Sequence, residues 1–138
     1  MLLLFLTSVI ITSCSTIRPV ENIDEVQKIV FIWIPVNKIK EEPISISIEE
    51  KNRINSIIEI INNSIQIDPK KIPFIGLIEG QYFFEIYYPD GIKKIEVFGN
   101  GAYLTDSNET AFFRNQKIYF FIQQLLYHEY IKRGIKIQ

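Results

Sequence analysis

Apolar positions along this chain change their period several times, and each change marks an element. From Gln27 to Val36 the residues are apolar on both parities, Val30, Ile32 and Ile34 on one and Ile29, Phe31 and Trp33 on the other. This predicts a strand that is covered on both faces or lies centrally in its sheet. Pro35 and the charged stretch Lys38 to Glu42 end it. Ile44-Ser45-Ile46-Ser47-Ile48 then alternates strictly, the pattern of a half-buried strand. Ile54, Ile57, Ile58 and Ile61 recur at helical spacing. Ser47 and Glu50 fit a capping box at the start of that helix, and Asn62-Asn63 can stop it, because Asn tolerates the left-handed conformation common at helix ends.

The second half predicts a meander followed by a helix. Gln81 to Tyr88 is an aromatic strand, Pro89-Asp90-Gly91 a turn, and Ile92 to Phe98 a charged return strand. Gly99-Asn100-Gly101 signals a second tight turn, followed by short strands at Ala102 to Thr105 and Thr110 to Phe113. Ile118, Phe121, Ile122, Leu125 and Leu126 form one stripe of a helix from about Asn115 to Arg133, with Gly134 placed to cap it. Two strands, a helix, further strands and a helix predict an α+β domain: an antiparallel sheet of about five or six strands with two helices packed on it.

Upstream of these periods lies a different kind of segment. Met1 to Ser13 carries no charge, and its apolar run breaks into Ser13, Cys14, Ser15 and Thr16 before the roughly twenty residues that a membrane span needs. Cys14 is the only cysteine. The order Ile11-Thr12-Ser13-Cys14 resembles the lipobox of bacterial lipoproteins. That resemblance implies a signal peptide over residues 1–13, cleavage before Cys14, acyl lipid on its sulfur, and a short tether over residues 14–25 leading to a single domain over 26–138. It also implies an address in the cell envelope, anchored to a bacterial membrane by lipid. Ser15 after the cysteine, in place of Asp, suits delivery to an outer membrane where the cell has one. A signal peptide cleaved without lipidation and a first core element are the other readings of the apolar run. The domain is similar in outline to small domains of unknown function carried by lipoproteins of AT-rich bacteria, the shared cues being Ile61 to Ser64, the Asp90-Gly91 turn and the Gly99 to Gly101 turn.

Composition narrows the partners. The 15 basic and 16 acidic side chains nearly cancel, and no basic stripe of the kind that binds nucleic acid stands out. A small secreted domain with a poor core is usually stapled by disulfides, which one thiol cannot supply, so this fold must hold by packing.

Candidate chemistry is sparse. His128-Glu129 opens like a zinc-protease signature, but Lys132 stands where the second His is needed and the chain has no other His. Glu79 with Glu85, and Asp106 with Glu109, are carboxylates that nothing in the sequence pairs. Ser56, Ser64 and Ser107 have only His128 as a base, without a nucleophile-elbow motif. Asn62-Asn63-Ser64 and Asn108-Glu109-Thr110 match an N-glycosylation pattern that an Asn-rich chain yields by chance. The aromatic strand is the feature that suggests binding: Phe83 and Tyr87 share a face with Gln81 and Glu85, and if that face is open they form a protein-contact surface. The expected function is a non-catalytic, membrane-anchored interaction module with no cofactor and no metal. The alternatives are an accessory structural subunit of an envelope complex and an unrecognised hydrolase.

Overall fold

The computed structural model describes residues 17–35, 42–73, 80–99, 103–106 and 108–135. Cys14 and the apolar run before it lie outside the described residues. The elements follow in the order β1 (Lys28–Pro35), β2 (Ile44–Ile48), α1 (Lys51–Asn62), β3 (Ile65–Ile67), β4 (Gly80–Tyr88), β5 (Gly91–Phe98), β6 (Tyr103–Asp106), β7 (Phe112–Arg114) and α2 (Ile118–Lys132). The seven strands form one antiparallel sheet in the order β2-β1-β4-β5-β6-β7-β3. The fold is therefore α+β, with two helices and one strand more than the periods predict. The extra strand is β3, whose three residues are too few to show a period and whose partner, β7, lies far along the chain.

Register explains which residues are core. Side chains alternate across a strand, so Trp33 pairs with Ile44 and Tyr82, Phe31 with Ile46 and Phe84, and Ile29 with Ile48 and Ile86, all on one face. Ile95, Val97, Leu104 and Phe113 continue that face through β5, β6 and β7. Ile54, Ile57, Ile58 and Ile61 of α1 and Ile118, Ile122, Leu125 and Leu126 of α2 are buried in the same cluster. Phe121 packs beside it half-buried, its ring stacked near Phe84 at 6.3 Å. Each fully buried Phe or Ile contributes about 1.5–3 kcal/mol, so this one layer carries the domain without covalent staples. Of the two arrangements expected for β1, the structure shows an interior place in the sheet, between β2 and β4, with Ile29, Phe31 and Trp33 buried and the other face half-covered.

Helix ends differ from the sequence expectation at α1. Its N-cap is Glu50, with no side-chain cap. Ser47 cannot serve, because it is committed to the ladder opposite Val30. Nor does Asn63 turn left-handed at the other end, where φ is −74°. At α2 the expected cap forms: Gly134 has φ +68°, its N–H reaches Ile131 O, and Ile135 N–H reaches Tyr130 O, the paired bonds of a Schellman motif.

The segment expected as a tether is folded from its described start. Val20 and Val26 are buried in the core, and Asn62 of α1 holds Val20 by both backbone groups. Lys51 Nζ donates to the carbonyls of Ile23 and Asp24, and Tyr88 donates its hydroxyl to Glu21 O. The packed body therefore begins upstream of residue 26.

Candidate binding face

The opposite face of the sheet carries no described helix. On it, by register, lie Val30, Ile32 and Ile34 of β1, Phe83, Glu85 and Tyr87 of β4, and Ile92, Lys94, Glu96 and Phe98 of β5. Tyr103, Phe112, Ile65 and Ile67 extend it across the short strands. Phe98 stacks on Tyr103 at 5.6 Å and meets Phe112 edge-on at 6.3 Å, a small ring cluster held by the meander. Ile92 is 59 % exposed and Ile65 72 %, while most of their neighbours are half-buried.

Phe83 and Tyr87, the two residues singled out in the sequence, do share this face, but they differ in access. Phe83 is only 8 % exposed, with the Lys94 ammonium 3.8 Å from its ring centroid. Tyr87 is half-buried, with Lys28 Nζ 4.2 Å from its ring centroid. Its hydroxyl donates to Glu85 Oε2 at 3.0 Å. That hydrogen bond, helped by desolvation and the Glu85 charge, raises the Tyr87 pKa above its ordinary value. The phenol therefore stays neutral, and the face presents rings rimmed by Lys28, Glu85, Lys94 and Glu96. Ile92 and Ile65 were not anticipated as contact residues; an isolated Ile beside a turn or in a three-residue strand carries no periodic signal.

The reactive candidates are scattered. His128 is exposed on α2, its ring 6.0 Å from that of Tyr127. Neighbouring Glu129 pairs with Arg133 at 2.8 Å. Among the described residues no group of three or more His, Cys, Asp or Glu could hold a metal ion. Ser56 and Ser64 donate their hydroxyls to the carbonyls of Asn52 and Ile61. Glu79 and Ser107 lie outside the described residues. Asp106 and Glu109 do not form a pair: the Asp106 carboxylate accepts from the Thr110 N–H at 2.8 Å and from the Thr110 hydroxyl, organising its own loop. Asn62, offered by chance as a glycosylation site, is the clamp on Val20.

A cavity of about 190 Å³ lies where the N-terminal segment meets the strand ends, with Arg18, Lys93, Asp106 and Thr110 in its wall. Of its two carboxylates, Glu21 and Asp106, the second is occupied within its own loop. No protein-family profile, curated protein or solved structure matches the chain. No described helix is long and apolar enough to cross a membrane.

Proposed function

We infer that this chain is a lipid-anchored module of the bacterial cell envelope that works by protein contact and not by catalysis. The observation that carries the reading is the sheet face that carries no described helix, where aliphatic and aromatic side chains stand partly exposed among charged ones. Monomeric proteins seldom leave a broad apolar surface open, and rings with a charged rim are typical of protein contacts. The order Ile11-Thr12-Ser13-Cys14 supports the anchor. Phe83, buried under Lys94, acts as the floor of the surface; Tyr87 and Ile92 are its accessible edge.

An accessory structural role is the second reading, supported by β2. This edge strand, Ile-Ser-Ile-Ser-Ile, has no Lys or Pro within it to block pairing with a partner's strand.

The test is a pair of variants in the full chain. Ile92→Glu should leave the thermal melt within about 0.5 kcal/mol of the parent, as exposed substitutions do, and abolish recovery of a specific envelope partner. Cys14→Ala should remove acyl mass from the N-terminus and release the chain from membranes. Retained partner binding in Ile92→Glu contradicts the contact surface; an unmodified Cys14 in the native protein contradicts the anchor.

A further inference from the structure

α2 has a second apolar stripe that the core does not use. At 3.6 residues per turn, Phe120, Tyr127 and Ile131 fall within about 40° of one another and about 180° from the midpoint of Ile118, Ile122, Leu125 and Leu126. Phe120 is 70 % exposed and Ile131 58 %. An open depression of about 420 Å³ runs along this side between Phe120 and Tyr130. A helix apolar on opposite sides needs apolar cover on both, and the sheet supplies only one.

Charge indicates what the other cover is. Glu129 is the only acid in α2, and it is spent on Arg133, leaving Lys117 at the start of the helix and Lys132 at its end as cations without a carboxylate on their own helix. Tyr and Phe beside Lys is a composition suited to the boundary between lipid headgroups and acyl chains. We propose that the outer stripe of α2 rests on the anionic surface of the membrane, so that the open sheet face, on the opposite side of the two-layer domain, points away from the bilayer toward its partner. This rests on the anchored reading above, since the anchor is what keeps α2 within reach of lipid.

The experiment reconstitutes the full chain into vesicles of phosphatidylcholine and phosphatidylglycerol and reads the extra emission of a reporter tryptophan, with the parent signal from Trp33 subtracted. Tyr127→Trp should be blue-shifted and quenched at least two-fold by brominated lipid. Ile92→Trp, on the open sheet face, should be quenched far less. Adding Phe120→Glu and Ile131→Glu to the Tyr127→Trp chain, or using phosphatidylcholine alone, should weaken the quenching. Equal quenching at the two sites, or none at position 127, overturns the proposal. A blue shift that persists without lipid and grows with protein concentration assigns the stripe to a second copy and also overturns it. The N-terminal mass is read on the same samples, so a chain with unmodified Cys14 that still quenches at position 127 separates failure of the lipidation from failure of this orientation.

Discussion

Asn62 closes its carboxamide on the backbone of Val20, accepting from the Val20 N–H at 2.9 Å and donating to the Val20 carbonyl at 2.8 Å. One side chain thus satisfies both polar groups of a fully buried residue, much as a neighbouring strand would. The consequence is mechanical. The proposed anchor, Cys14, is six residues before Val20 in the chain, so Asn62 is where a pull on the anchor would meet the body of the domain.

Asn62→Ala should cost roughly 1–3 kcal/mol, the penalty for leaving buried backbone groups unsatisfied. Asn62→Asp keeps an acceptor for the Val20 N–H and loses the donor, so its cost should be smaller at low pH, where the acid can donate. Urea melts of the two variants measure this, and amide exchange at Val20 should quicken in both. A melt of Asn62→Ala that overlays the parent would show that the clamp contributes nothing.

Asp106 makes acid stability testable. Burial pushes its pKa up, but the hydroxyl and N–H of Thr110, the Lys93 charge and the Ala111 backbone pull harder, and the net effect is a pKa below the usual carboxylate value. A group with a lowered folded pKa contributes stability that is present above its unfolded pKa and lost as pH falls through the folded value. The parent should therefore lose stability below about pH 4 more steeply than Asp106→Asn. Melts over pH 2–7 would read it, and parallel curves would contradict the assignment.

Gly80→Ala probes the close approach of β4 to β1. A Cβ there would strike the Trp33 indole nitrogen and lie 2.9 Å from the Ile34 carbonyl oxygen. The ring is boxed in, with Tyr130 edge-on at 6.4 Å and its own N–H buried without a hydrogen-bond partner among the described residues. Relief must come from backbone, at a cost of roughly 1–3 kcal/mol. Gly91→Ala, with open space around its Cβ position, is the control and should cost less.

These particulars show what the sequence could and could not tell. The helix stripes Ile54 to Ile61 and Ile118 to Leu126 were legible because burial imposes a period of 3.6 on a helix. The β4–β5 hairpin was legible because its turn residues and aromatic run lie within a few residues of one another. What escaped depends on distant pairing: β3 against β7, Asn115 donating to Ile60 O and Ser64 Oγ to join the helix ends, and Asn62 on Val20. The candidate binding face was half legible. Parity placed Phe83 and Tyr87 together, but whether Phe83 was exposed depended on Lys94 of the next strand. The outer stripe of α2 was written in the sequence and hidden by the stronger inner one.

The central claim, that one face of the sheet is the recognition surface, is tested most directly by site-specific photo-cross-linking along β5 in living cells. Side chains 92, 94 and 96 point to the open face, and 93 and 95 to the helix face. A photoreactive residue replacing Ile92, Lys94 or Glu96 in turn should give one protein adduct of constant mass, and the same residue replacing Lys93 should give none. Adducts that ignore this alternation, or their absence at all three open-face positions with the chain folded and at its membrane, would contradict the account.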